Sequence, residues 1–141
     1  MFRFSAGTEY AIRAVLCVAR SKGPLFVREI AEQETIPKSF LSKLVQTLTH
    51  TGLLEARRGM HGGVTLARPK EEISVLEIIE ACEGPLHSPT CLLSHTAQCP
   101  RPTGCPIHDV WQKAQAGMIQ TLSKTKLSDL SGYNRGENEK S

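Results

Sequence analysis

No apolar run in these 141 residues approaches the roughly 18–20 needed to span a bilayer, which argues against a membrane-spanning helix. The amino terminus, MFRFSAGTEYAIRAV, lacks the layout of a secretory signal: Glu9 and Arg13 interrupt its apolar stretch, and no small-residue cleavage site follows. An even set of cysteines is missing too; there are 5, so a disulfide framework would strand at least one thiol. These absences point to a cytoplasmic protein with reduced thiols and no membrane partner. A catalytic set is also absent. A Cys–His nucleophile needs a base within hydrogen-bond reach and oxyanion donors, and no recognisable group of residues supplies them, so neither an enzyme nor a small-molecule substrate is expected.

What is present fits one small domain with an added element. Hydrophobic residues make up 40% and charged residues 22%, ordinary values for a globular chain. Net charge is +3, but it is unevenly placed: residues 1–70 carry a net of +6 and residues 71–141 a net of −3. The basic half suits a polyanion and the acidic half does not.

Along the basic half, a first helix is predicted from about Thr8 to Arg20, with Tyr10, Ala11, Ala14, Val15 and Val18 as its stripe and Cys17 as a small buried hydrophobe. A short helix fits Val27 to Glu34. Ile36-Pro37 then breaks the chain, and a third helix from about Ser39 carries Leu41, Leu44, Val45 and Leu48 at i, i+3, i+4 and i+7. Two short helices joined by a tight turn, the second polar on its outer face, form a helix-turn-helix pattern. LLEARRGMHGGVTLARP follows and reads as a β-hairpin with a basic, glycine-rich tip. This is the element order of a winged helix.

From Ser74 the helix signals are explicit. Ser74 and Glu77 can close a capping box, with Ile73 and Ile78 as the hydrophobic staple, and Gly84-Pro85 ends the helix. Later, Pro106 suits a first-turn position and Asp109 a helix start, and Trp111, Ala114, Met118 and Leu122 recur with near-heptad spacing to about Lys124. That stripe needs a partner. A second copy in a homodimer is the simplest, and its own domain is the alternative.

Between these helices lies CLLSHTAQCPRPTGCPIH, residues 91–108, with no apolar periodicity and with Pro100, Pro102, Gly104 and Pro106 breaking regular structure. Cys91, Cys99, Cys105 and His108 follow C-x7-C-x5-C-x2-H. Soft thiolates select zinc or iron–sulfur clusters, and imidazole suits both. The wide gaps fit a loop wrapped on a cluster better than a zinc knuckle, and spacing alone leaves both open. His95, inside the loop, reads as solvated.

The chain resembles, over nearly its whole length, bacterial winged-helix regulators of the IscR, NsrR and RirA type, the Rrf-two family. TEYAIRAVL, IPKSFLSKLVQTLTHTGLLEARRGMHGGVTLARP, ISVLEIIEACEGPL, CPIHDVWQKAQ and KLSDL carry the resemblance. It implies a dimeric transcription factor, a repressor, whose loop binds a 2Fe-2S or 4Fe-4S cluster that controls DNA affinity in response to iron, redox state or nitric oxide. Cys91, Cys99 and Cys105 would be the metal ligands. IscR-like members add a histidine with the spacing of His108; NsrR-like members add a carboxylate from the first helix of the other subunit, which maps to Glu9. The seven-residue gap between Cys91 and Cys99 is more like RirA than IscR.

The expected fold is mainly α with a small β-hairpin. A winged helix-turn-helix domain spans 1–84, a cluster-binding loop 85–108, a dimerisation helix and end segment 109–131, and a disordered tail 132–141. On the third helix, Ser39, Ser42, Lys43, Gln46 and Thr47 lie off the buried stripe, where a recognition helix faces the major groove of a partly palindromic operator. Arg57, Arg58 and His61 on the wing would meet phosphates or the minor groove. Two rivals remain: a zinc- or thiol-based regulator of the same fold, and a small iron–sulfur electron carrier, which would leave the wing unexplained.

Overall fold

Why the amino-terminal half folds as it does is clearest in helix α1 (Ala6–Arg20), which a computed structural model describing residues 3–86 and 105–132 places at the centre of the core. Ser5 caps it, its hydroxyl accepting from the Thr8 amide at 3.3 Å. Ala11, Ala14, Val15 and Val18 are buried as the periodicity requires, and the two alanines let neighbouring elements approach closely. Helix α2 (Val27–Glu34), helix α4 (Val75–Glu83) and helix α6 (Leu127–Ser131) all pack on α1.

Helix α2 starts where the Glu29 carboxylate accepts from the Phe26 amide at 2.7 Å. It ends at Thr35, whose φ of 55° and ψ of 51° put a β-branched residue in the left-handed region. The Ile36 amide returns to the Ala31 carbonyl at 3.0 Å, which seats the Ile36 side chain in the core and aims the chain into helix α3 (Lys38–His50). Leu41, Leu44, Val45 and Leu48 form the buried stripe of α3, while Phe40 stacks edge-on against Tyr10 of α1 at 5.4 Å. The helix stops where the Leu53 amide bonds the Leu48 carbonyl at 3.0 Å.

Strands β1 (Leu54–Arg57) and β2 (Gly63–Leu66) pair antiparallel, with Leu54 opposite Leu66 and Arg57 opposite Gly63. Two glycines close this wing. A Cβ on Gly62 would lie 2.4 Å from the Arg57 carbonyl oxygen, and Gly63 has a φ of 130° hard against Pro24 and Leu25. Leu25 adds a short third rung, exchanging amide bonds with Val64 at 3.1 and 2.7 Å. Only the hairpin was visible in the sequence; this rung was not.

Helix α4 has the capping box its sequence predicts. The Ser74 hydroxyl accepts from the Glu77 amide at 3.2 Å, the Glu77 carboxylate accepts from the Ser74 amide at 2.8 Å, and Ile73 and Ile78 are fully buried. Helix α5 (His108–Lys124) packs on α4 with Ile119 as its buried residue. It begins two residues beyond Pro106, with Ile107 at its cap, so the proline precedes the first turn instead of occupying it. After α5 the chain runs back beside Ile73–Val75: the Val75 amide bonds the Thr125 carbonyl and the Leu127 amide bonds the Ile73 carbonyl, both at 2.9 Å. Leu127 at the head of α6 is fully buried in the same core as α1. The architecture is helical with one two-stranded hairpin, as expected. Cys91, His95, Cys99 and the segment 133–141 lie outside the described residues.

Candidate DNA interface and cysteine site

The outer face of α3 presents Ser39, Ser42, Lys43, Gln46 and Thr47, all exposed, opposite the four residues that fix the helix to the core. The Ser42 and Thr47 hydroxyls donate to the carbonyls of Lys38 and Lys43 at 2.9 and 3.2 Å, which leaves their oxygens free to accept. On the wing, Arg57, Arg58 and His61 are exposed, and Met60 at the tip is 90% accessible. Arg57 is held 3.3 Å from the Glu55 carboxylate, an exposed pair of little net worth. Arg28, which sequence reasoning did not select, is also exposed near the start of α2, with its guanidinium 5.3 Å from the Phe26 ring centre. Exposure on a helix packed against α3 is the signal that picks it out, and that signal needs the fold.

The cysteine site is built differently. Cys105 and His108 are half-buried and share one turn at the foot of α5, closed by the His108 amide bonding the Cys105 carbonyl at 3.2 Å. Glu9 projects from α1 with its side chain 69% exposed and 3.6 Å from Arg13. Arg13 in turn donates to the Glu34 carbonyl and lies 3.4 Å from the Glu34 carboxylate. The structure thus joins Cys105 with His108 and holds Glu9 in the ion pair that an i,i+4 spacing predicts. Among the described residues no three potential metal ligands cluster.

The other two thiols have different surroundings. Cys17 is buried and donates to the Gln33 side chain at 3.3 Å; burial, then the nearby Glu34 charge, pushes its pKa up. Burial does the same to Cys82 on α4. Both thiols are held protonated, which disfavours ligation and nucleophilic attack. Beside Cys82, at the carboxy end of α4, the Glu83 carboxylate accepts from the Thr8 hydroxyl at 2.6 Å and the Ser5 amide at 2.7 Å, and these bonds hold its pKa low.

A sulfur-rich group fits this surrounding on one further observation. The Trp111 indole Nε1, one turn beyond His108 on α5, is shut off from solvent with no hydrogen-bond partner. A buried N–H normally has an acceptor, and thiolate or sulfide sulfur can serve as one.

A recognition helix, a glycine-closed basic wing and a carboxy-terminal helix folded back on the core define a winged helix-turn-helix transcriptional regulator. Residues 4–132 match the model of the Rrf2 family, described as iron-dependent transcriptional regulators, and the chain belongs to that family. A Mycobacterium tuberculosis protein that carries an HTH-type regulator's name is 33% identical over 132 residues, 92% of this chain and 81% of its own length. The regulator NsrR of Shouchella clausii is 30% identical over 87% of this chain and 84% of its own. The structure of CymR, the global cysteine regulator of Bacillus subtilis, superposes with a TM-score of 0.81 at 26% identity, covering 95% of this chain and 99% of that one. These relatives are regulators, and the chain is a regulator and not an enzyme.

Proposed function

We propose that this regulator binds a partly palindromic operator as a cytoplasmic homodimer and that an iron–sulfur cluster in its cysteine loop controls its affinity for DNA. The observation that carries the reading is the pairing of an exposed recognition face with a Cys105–His108 turn at the foot of the helix that folds back onto the core. Cys91, Cys99 and Cys105 supply three thiolates, and either His108 or Glu9 of the second subunit completes the set. When bound, such a cluster offers a redox-sensitive centre that iron shortage, oxygen or nitric oxide can dismantle.

The chain's own residues carry the rest. Ser39, Ser42, Lys43, Gln46 and Thr47 face base edges in the major groove, and Arg57, Arg58 and His61 grip phosphates or the minor groove. The Trp111, Ala114, Met118 and Leu122 side of α5 meets its copy in the dimer. Three of these four are half-buried already and Ala114 is exposed, so the helix has surface left for a partner. Tying the loop to the foot of α5 links the state of the loop to the position of that helix, and so to the spacing of two recognition helices.

Protein purified without oxygen is expected to be coloured and to contain iron and sulfide. Changing Cys91, Cys99 or Cys105 to alanine should each abolish or strongly destabilise the chromophore, while changing Cys17 or Cys82 should leave it. His108→Ala and Glu9→Ala separate the two fourth-ligand candidates, since only the true ligand alters the spectrum or speeds loss. The likeness to a global cysteine regulator favours a second reading, in which the loop works through zinc or thiols alone. Colourless anaerobic protein with one zinc per chain would establish that reading and leave the DNA interface standing.

A further inference from the structure

The most exposed large hydrophobic side chain among the described residues is Met60, 90% accessible at the tip of the wing. Single apolar residues are common on protein surfaces, so exposure alone carries nothing. Its setting does. The Gly62 amide bonds the Gly59 carbonyl at 3.0 Å, which closes a β-turn with Met60 and His61 at its two central positions. Gly59 has a φ of 103°, and Gly62 lies too close to the Arg57 backbone to carry a side chain. Met60 therefore stands at the apex of a bonded turn, between Arg58 and His61, both exposed. The hairpin beneath it is held on both flanks: β2 exchanges amide bonds with Leu25, and β1 packs on α3.

We propose that Met60 is a wedge: its side chain enters the minor groove of bound duplex DNA and inserts between two stacked base pairs, kinking the duplex. The proposal rests on the DNA-binding reading above, and adds a base-step contact to the phosphate and groove contacts of Arg57, Arg58 and His61. Chemistry favours duplex DNA as the occupant. An apolar apex beside an arginine matches a groove with anionic walls and an apolar stack of bases between them. An unbranched thioether is slim enough to enter a groove about 6 Å wide. Unstacking costs least at pyrimidine–purine steps, so Met60 also selects for such a step where the wing lands.

The test uses the full chain and the duplexes that the unaltered protein enriches from a random-sequence pool. With dyes at the two duplex ends, energy transfer should report a bend on binding, in the range of about 20–90° that wedge residues produce. Met60→Ala should bind about tenfold more weakly and lose the bend. It should also cease to enrich a pyrimidine–purine step at a fixed distance from the centre of the site. Its salt slope should match that of the unaltered protein, since no phosphate contact is removed. Met60→Leu keeps an apolar side chain of similar size and should retain most of the affinity and the bend. Thermal unfolding of Met60→Ala should be unchanged, because the side chain touches so little of the fold. Equal affinity, equal bend and the same enriched sequences for Met60→Ala would overturn the wedge and leave the DNA reading intact. Weaker binding with the bend unchanged would also overturn it, and would make Met60 a groove contact only. An unaltered protein that enriches no duplex would remove both readings.

Discussion

Helices α3 and α5 are built on opposite principles. Of the 13 residues of α3, Leu41, Leu44, Val45 and Leu48 are buried, and the helix is anchored along its length. Of the 17 residues of α5, Ile119 is the buried one, and Val110 near its start is 60% exposed. The helix is fixed instead at its far end, by the bonds of Thr125 and Leu127 to Val75 and Ile73. Burial of apolar area is the main source of rigidity in a small domain. Helix α3, the proposed DNA reader, therefore has its geometry set by its own chain, and α5, which under the proposed function adjoins the cysteine site, has part of its geometry left to a partner. A regulator needs both, because a signal can act only on the element that is not already fixed.

This contrast can be broken at several points. The largest effect is expected from Leu48→Ala, which opens a cavity beneath the recognition helix and should cost about 2–5 kcal/mol of stability. Ile119→Ala should fall at or below the low end of that range in urea unfolding, and equal losses would mean that α5 is as firmly seated as α3. Met118→Asp comes next. In a seam between two copies it buries an unpaired charge at a cost of about 3 kcal/mol, and sedimentation should show monomers; a persistent dimer would put the interface elsewhere.

Arg58→Ala should weaken DNA binding by about 1 kcal/mol and reduce the slope of log affinity against log salt by about 1, without altering the fold. An unchanged slope would take Arg58 out of the interface. The smallest effect concerns Glu77. Burial raises its carboxyl pKa, but the Ser74 amide and Arg68 outweigh this and leave it below the ordinary value of 4.5. A depressed folded-state pKa stabilises above the unfolded value, and that contribution is lost as pH falls from about 4.5 through the folded value. Glu77→Gln should therefore lose less than about 1 kcal/mol near neutral pH and flatten this part of the acid limb. An unaltered acid limb would mean the box contributes nothing measurable.

The parts of the fold that show in the sequence are those with a local cause. The stripe of α3, the Ser74–Glu77 box and the glycine-rich wing each rest on residues within one or two turns of each other. Thr35 carries no such cue: left-handed backbone is ordinarily signalled by glycine or asparagine, and tertiary packing of Ile36 imposes it here. Long-range junctions were invisible for a plainer reason. The Leu25–Val64 rung, the bond from Leu127 back to Ile73 and the Thr8–Glu83 bond join residues between 39 and 75 positions apart, where periodicity is silent. On α5 the heptad reading selected Trp111, Ala114, Met118 and Leu122, yet Ile119 is the residue the helix buries. A helix apolar on two sides does not say which side faces its own domain. The site divides the same way: the exposed face of α3 proposed to meet DNA follows from the α3 stripe, whereas the unpartnered indole of Trp111 needs three dimensions to be seen.

The rung between Leu25 and Val64 has a consequence for the operator. It fastens the base of the wing to the segment that leads into α2, so helix and wing form a fork whose gauge is preset by main-chain bonds. A fork of fixed gauge cannot adjust to a duplex; the duplex must bring its grooves to the prongs. Sequences that bend or narrow cheaply at the right step are then gripped more tightly even where no side chain touches a base. Under the proposed DNA contacts of helix and wing, part of the operator would be written in the stiffness of DNA, and a pair of amide bonds far from any base edge would help to choose it.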